Sequence, residues 1–229
     1  MRNPKILFGL VVAGLLTAGC GSDANSSDSS GGGAAQKALP VAIDGPQKDV
    51  RKRGEDNLKV TPAPDQGAPL TEQVEHRLRE AILLTASVAG ETSAKCPDGV
   101  TQKAGAVSQC VVTYEGAEIP YEVKISDSYT EGSSITSYTT TPKKGLLVAK
   151  FVYNSLNENY GTESGRTDAS KLACEKLPVA KAFDWKSDTG YKCQYWTKHA
   201  NNGKGGYDTL RVTMGPSGYV PGFEPEPVK

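Results

Sequence analysis

The first apolar pattern downstream of the N-terminal region has helical spacing. Along residues 71–90, TEQVEHRLREAILLTASVAG, one helix face would carry Val74, Leu78, Ala81, Ile82, Thr85 and Val88. Thr71 is a suitable N-cap, because its hydroxyl can accept a hydrogen bond from a free N–H group of the first turn. Gly90 is a suitable end, because glycine adopts the closing left-handed conformation without strain. The pattern predicts an amphipathic helix.

Beyond this helix the spacing changes to the alternation typical of strands. Residues 111–114, VVTY, precede a Glu115-Gly116 turn, and every second residue after it is apolar: Ile119, Tyr121, Val123 and Ile125. Residues 134–141, SITSYTTT, have the β-branched composition of a further strand. Residues 70–141 are therefore predicted to form a helix packed on an antiparallel sheet.

The same order of patterns then returns. Residues 145–160, GLLVAKFVYNSLNENY, again have helical spacing, and the strand-like segments 192–197 (KCQYWT) and 207–214 (YDTLRVTM) follow around a glycine-rich turn. The repetition predicts an α+β fold made of two small tandem helix-on-antiparallel-sheet units, at 70–141 and 142–215. Chance recurrence of a helix and two strands is the competing explanation.

The first nineteen residues have the pattern of a secretory signal. Arg2 and Lys5 precede an uncharged run over 6–16, which is shorter than the roughly 20 residues that a membrane-spanning helix needs. The run ends in Leu-Thr-Ala-Gly-Cys20, which resembles the lipobox of bacterial lipoproteins. The resemblance implies acylation of the Cys20 thiol, cleavage before it and retention on the outer face of the cytoplasmic membrane. An ordinary signal peptide with a chance cysteine is the alternative.

Two segments have the composition of unfolded chain. Residues 20–69 begin at the cysteine expected to carry lipid and continue through Gly, Ser, Pro and mixed charges without an aromatic residue. Such a segment buries too little apolar surface to offset the entropy of ordering, and it predicts a disordered tether. Residues 216–229 contain four prolines and are predicted to be a disordered tail.

The four remaining cysteines form an even set in a chain that carries a secretory signal. An oxidising compartment favours disulfides, and we predict the two local pairs, Cys96–Cys110 and Cys174–Cys193, among three connectivities. Each pair would close a loop that the chain-entropy model values at about 3 kcal/mol. A zinc site is the alternative, but the spacing has no C-x-x-C element and neither histidine is close to a cysteine.

The first of these cysteine loops resembles a known family. The resemblance is carried by the segments Cys96-Pro97-Asp98-Gly99-Val100, Lys103-Ala104-Gly105, Cys110-Val111-Val112-Thr113 and the strand Tyr121-Glu122-Val123-Lys124-Ile125. Over residues 71–127 the chain resembles the two-cysteine domain of unknown function found in actinobacterial lipoproteins. The resemblance implies a disulfide-stapled extracytoplasmic domain, and it supplies no activity or catalytic residue. The second half departs from it, since Glu175 stands where the motif has proline.

Charge and motifs argue against several function classes. The chain has 26 Lys+Arg against 26 Asp+Glu, so no strongly basic surface for nucleic acid is expected. No nucleophile elbow, zinc-protease helix motif or P-loop is present. His76 is predicted on the polar side of the first helix and His199 in a loop, both solvated. We therefore predict no catalytic residues, no metal and no cofactor, and expect that the protein is not an enzyme.

Aromatic residues cluster near the second cysteine pair, and they are the best indication of binding. In a strand, Tyr191, Cys193 and Tyr195 would share one face and Trp196 would lie on the other. If the disulfide faces the helix, Trp196 faces outward, and with Tyr207 it is a candidate for contact with a protein or a cell-wall glycan. The alternative, which we favour, is that these aromatics simply form the second core.

Three functions remain open at this point. The first is a lipid-anchored, noncatalytic binding or sensing module at the cell surface, with the membrane as one partner. The second is an enzyme inhibitor, by architectural analogy with the secreted β-lactamase inhibitor proteins, which are also tandem helix-on-sheet repeats. The third is a cell-wall hydrolase that uses a pair of carboxylates. The binding module is the reading we expect.

Overall fold

The computed structural model describes residues 37–51, 55, 58–215 and 221–227. The predicted signal peptide at 1–19 and the lipidation residue Cys20 lie outside the described residues. The elements, in chain order, are β1 (Val41–Ile43), α1 (Leu70–Ala86), β2 (Thr92–Lys95), β3 (Val107–Tyr114), β4 (Ala117–Ile125), β5 (Tyr138–Pro142), β6 (Gly145–Val148), α2 (Ala149–Tyr160), β7 (Ser170–Cys174), β8 (Ala180–Phe183), β9 (Asp188–Thr197), β10 (Gly206–Met214) and β11 (Pro221–Pro225).

The strands form three sheets. One has the order β2-β3-β4-β5, the second has the order β1-β7-β9-β10-β11, and the third is the pair β6-β8. Strand pairing within all three is antiparallel. Helices packed beside antiparallel sheets confirm the predicted α+β class.

Helix α1 packs on the four-stranded sheet and encloses the first core. Its buried residues Val74, Leu78 and Ile82 belong to one apolar cluster with Val112 of β3 and Ile119 of β4. Each such side chain contributes roughly 1.5–3 kcal/mol when it is fully buried. The alternation of buried and exposed residues along β3 and β4 follows the predicted spacing.

Three predicted ends, both of the first helix and one of a strand, differ from the structure. Helix α1 begins after Pro69, because the Thr71 hydroxyl accepts the Val100 N–H at 2.9 Å instead of capping the helix. The helix ends at Ala86, before the expected Gly90, and Ser87 adopts the left-handed conformation. The strand predicted at 134–141 begins only at Tyr138, and the Ile135 side chain is 77% exposed.

Both predicted local disulfides are present. Cys96 follows β2 and bonds Cys110 of β3, and Cys174 of β7 bonds Cys193 of β9. Cys174 and Cys193 are direct cross-strand partners, with their Cα atoms 3.9 Å apart. All four sulfurs belong to buried residues, so each disulfide joins two neighbouring strands inside a core.

Helix α2 covers the five-stranded sheet and encloses the second core. Val152 and Leu156 of the helix pack with Cys193 of β9 and with Leu210 and Val212 of β10. Partly buried aromatic rings surround this cluster and come from α2, β8, β9 and β11: Tyr153, Tyr160, Phe183, Tyr191, Tyr195 and Phe223.

The prediction of a helix over 145–160 is wrong for residues 145–148. Residues 145–148 form strand β6, and all four are buried. Leu146 and Val148 belong to the first core, whereas Leu147 and Ala149 belong to the second. A short apolar run that is buried on both faces lacks the alternation that distinguishes a strand from a helix, which explains the error. One strand thus serves both cores.

The segment predicted as tether contributes to the fold over part of its length. Strand β1 pairs with β7, and Ile43 is buried in the second core. Leu58 and Val60 are buried in the first core. The prediction of disorder over 20–69 therefore does not hold for these residues, because each apolar side chain finds a partner surface that the local composition does not reveal.

The tail prediction also differs from the structure. Residues Pro221–Pro225 form β11 along the edge of β10, with Val212 opposite Phe223. The Phe223 ring lies edge-on to Tyr160 of α2, with the ring centroids 6.3 Å apart. Proline is tolerated here because an edge strand needs ladder hydrogen bonds on one side only.

The shared strand β6 leads to a prediction about cooperativity. We expect Leu147→Ala to lower the free energy of unfolding by about 2–5 kcal/mol, because it leaves a cavity in the second core. Since its neighbour Leu146 supports the first core, both cores should still unfold together. Calorimetry of Leu147→Ala and Leu146→Ala should each show one transition at a lower temperature. Two separate transitions would contradict the coupling.

Candidate functional site

The face of the five-stranded sheet turned away from α2 carries the two predicted binding residues. We call it the outer face. Trp196 and Tyr207 are direct cross-strand partners on β9 and β10. They lie on the sheet face opposite to the one that carries the Cys193–Leu210 pair, which is in the core. Both side chains are half-buried. The structure therefore brings these two predicted residues together.

The Trp196 indole packs tightly on its own hairpin. A Cβ atom at Gly205 would lie 2.8 Å from the indole ring, and Gly205 has a φ of +80°. Glycine is therefore required there for both the close approach and the backbone conformation. The Lys171 ammonium lies 5.5 Å from the ring centroid. The indole therefore contacts both its own hairpin and a cation of β7.

Two buried polar atoms on the outer face have no hydrogen-bond partner among the described residues. Gln194 is two residues from Trp196 on β9 and is 2% exposed, and its Nε2 atom has no hydrogen-bond partner among the described residues. The Nε atom of Arg211 on β10 is likewise buried without a partner, although its other nitrogens contact Asp188 and Glu224. A buried donor without a partner is destabilising.

The core-facing side of the same strands holds a second aromatic cluster. Tyr160, at the end of α2, stacks on Tyr195 of β9 with the ring centroids 4.8 Å apart. The guanidinium of Arg166 lies 4.9 Å from the Tyr160 centroid and 5.4 Å from that of Tyr195. Arg166 also forms two hydrogen bonds with the Asp168 carboxylate. The cation and the electron-rich ring faces attract each other.

These residues line an open cavity at the β10–β11 end of the sheet. We call it the aromatic groove, and its volume is about 750 Å³, within the range of small-ligand sites. Its aromatic and charged lining residues are Tyr160, Arg166, Tyr195, Tyr207, Asp208 and Glu226. Tyr207 therefore belongs both to the outer face and to the rim of the groove.

Two carboxylates of the groove have different surroundings. Asp208 accepts a hydrogen bond from the Tyr195 hydroxyl at 3.2 Å. Burial, followed by the negative charge of Asp208, raises the pKa of Tyr195, so this hydroxyl remains a donor. Glu226 pairs with the Lys192 ammonium at 2.5 Å. The hydrogen bond to Glu226 raises the pKa of Lys192, so the ammonium keeps its charge.

The histidines occupy different settings. His76 is half-buried and its Nε2 atom is 2.9 Å from the Val60 carbonyl, so it helps to fasten the N-terminal segment to α1. The prediction of a solvated His76 is therefore wrong in part. His199 is exposed in the β9–β10 connection, as predicted. No group of three or more His, Cys, Asp or Glu side chains within the described ranges is arranged to hold a metal ion.

The aromatic cluster predicted from the sequence divides between two roles. Phe183, Tyr191 and Tyr195 pack against the second core, as the alternative of a buried cluster requires. Trp196 and Tyr207 lie outside that core. Tyr160, Arg166 and Asp208 were not predicted, because the sequence separates them by up to 48 positions and only the packing of α2 on the sheet brings them together.

No known protein family, curated protein or solved structure matches this chain. Within the part of the chain that the structure describes, no helix has the length and apolar character needed to cross a bilayer.

The buried amide of Gln194 leads to a stability prediction. We expect Gln194→Leu to raise the free energy of unfolding by about 1–2 kcal/mol, because it removes a buried donor that has no partner. Chemical denaturation followed by circular dichroism measures the change. Gln109→Leu, on an exposed position of β3, is the matched control and should change stability by less than about 0.5 kcal/mol. A loss of stability in Gln194→Leu would show that the amide is bonded in solution.

Proposed function

We propose that this protein is a lipid-anchored extracytoplasmic binding module that acts without catalysis. The observation that carries the proposal is the aromatic groove, an open cavity of about 750 Å³ lined by Tyr160, Tyr195 and Tyr207. Rigid aromatic side chains provide large contact areas at low entropic cost, which suits recognition of a partner. Cys20 supplies the membrane anchor in this proposal, and the partner is a protein or a cell-wall glycan.

The charges in the groove favour binding over hydrolysis. A glycosidase needs one carboxyl group that stays protonated to act as general acid, beside a second that is ionised. Glu226 forms an ion pair with the ammonium of Lys192. Asp208 accepts a hydrogen bond from the Tyr195 hydroxyl. Both carboxyl groups thus serve as acceptors for other side chains of the fold, which suits a binding role better than general acid catalysis.

We further propose that the fold is a duplicated helix-on-sheet unit, of which residues 71–127 are akin to the two-cysteine lipoprotein domain. The support is that α1 precedes the order β2-β3-β4-β5 and α2 precedes the order β7-β9-β10-β11. In each series one disulfide links the first two strands. Cys96, just after β2, bonds Cys110 of β3, and Cys174 of β7 bonds Cys193 of β9. The second series differs by the inserted β8 and by β1 at its edge.

The repeated order also supports the enzyme-inhibitor alternative, because the secreted β-lactamase inhibitor proteins are built from tandem repeats of this type. Shared architecture alone does not determine function. The two readings differ in the partner they require: an inhibitor binds a secreted enzyme and lowers its activity, whereas a binding module needs no such effect. Identification of the captured partner therefore separates them.

The lipid anchor is tested at Cys20. We expect Cys20→Ala to move the protein from the membrane fraction to the medium, because the acyl chains provide the attachment. Immunoblots of membrane and medium fractions measure the change. Cys20→Ser, which also lacks the thiol, is the matched variant and should behave in the same way. Retention of both variants on membranes would contradict anchoring through this residue.

The groove is tested by site-specific photo-crosslinking in living cells. A photoreactive phenylalanine derivative at Tyr207, on the groove rim, should capture a defined partner. The same residue at Tyr129, a half-buried tyrosine after β4 and outside the groove lining, is the matched control and should not. We expect Trp196→Ala to reduce capture at position 207, because the indole is the cross-strand neighbour of Tyr207. Equal capture at both positions, or none at 207, would overturn the proposed site.

A further inference from the structure

The aromatic groove already holds a cation of its own chain. The Arg166 guanidinium lies over the stacked rings of Tyr160 and Tyr195, at 4.9 and 5.4 Å from their centroids. Arg166 is exposed and lies in the connection between α2 and β7, next to Gly165, which has a φ of +78°. Arg166 therefore belongs to an exposed connection, and its guanidinium is the group that contacts the rings.

The groove also contains a carboxylate whose charge is not neutralised. Asp168 is paired with Arg166, and Glu226 is paired with Lys192. Asp208 accepts the Tyr195 hydroxyl and makes no ion pair within the described residues. A cation that enters the groove would therefore meet both electron-rich ring faces and a free negative charge.

We propose that the aromatic groove binds a cationic amine side chain of a peptide, and that Arg166 is the intramolecular group that competes for the same ring faces. This inference rests on the proposed binding function and names the ligand class of that site. Ring faces beside a carboxylate are the arrangement that recognises ammonium groups. The volume of about 750 Å³ also accommodates residues that flank the charged side chain.

The position of Arg166 favours a cationic ligand over a neutral glycan. A neutral sugar ring would stack on the aromatic faces and could donate a hydroxyl hydrogen bond to Asp208, but it has no charge to replace that of Arg166 over the rings. An anionic ligand would be repelled by Asp208, the carboxylate of the groove lining that makes no ion pair among the described residues. A cation is attracted both by the ring faces and by Asp208.

Another cation–π contact, between β8 and β9, supplies a matched control. The Lys181 ammonium lies 5.0 Å from the Phe183 centroid and 5.9 Å from that of Tyr191. These rings lie outside the groove lining. Removing Lys181 therefore removes a cation from aromatic rings without opening the groove.

The experiment measures binding of acetyl-Ala-Lys-Ala-amide to the full lipidated chain in detergent, by titration calorimetry. We expect Arg166→Ala to bind this peptide about five-fold or more tighter than the wild type, because the competing group is gone. Adding Asp208→Asn to Arg166→Ala should weaken binding about ten-fold, and higher salt should weaken the binding of the peptide to Arg166→Ala. Lys181→Ala should bind as the wild type does.

The neutral peptide acetyl-Ala-Gln-Ala-amide and an uncharged chitin trisaccharide separate the two proposals. Equal binding of the lysine and glutamine peptides, or no gain in Arg166→Ala, would overturn the cation inference. Binding of the trisaccharide that is lost in Tyr207→Ala would overturn it as well but leave the groove as a binding site. Circular dichroism spectra identify any variant that fails to fold, and Tyr160→Leu, which removes one ring, provides an independent test because it should lose the lysine peptide.

Discussion

The pairing of β9 with β10 is the constraint on which the rest of the structure depends. Its register places Cys193 opposite Leu210 in the second core and Tyr195 opposite Asp208 at the groove. Because side chains alternate between the two faces, the same register places Trp196 and Tyr207 together on the outer face. A shift of one residue would exchange these faces and expose the disulfide. The disulfide to β7 and the packing of α2 therefore also fix the site.

Local spacing was sufficient to predict the elements that have one buried face. The helix at 71–90, the strands through Cys110 and Cys193 and the two local disulfides all carry their signal within a few neighbouring residues. Strand β6 does not, because Leu146 and Leu147 are both buried and the run has no polar face. Strands β1 and β11 do not either, since each is a short edge strand whose only strong stabilisation is the neighbour it pairs with.

The site was predicted in part for the same reason. Trp196 and Tyr207 stood out as aromatic residues on a predicted hairpin, and strand alternation gave their facing. Tyr160 looked like the last residue of a helix, and Asp208 like one of many surface carboxylates. Their meeting with Tyr195 depends on the packing of α2 across the sheet. No spacing in the sequence encodes that contact.

The order of the five-stranded sheet places the groove away from β1. Strand β1, which continues from the N-terminal part of the chain, occupies one edge, and β11 occupies the other. Four strand spacings separate these edges, which corresponds to about 19 Å. The groove is lined from β9, β10 and the residues at the end of β11, so it lies toward the edge opposite to the entry of the chain. The groove and β1 therefore lie toward opposite edges of one sheet, so a partner of the groove would not need to displace β1.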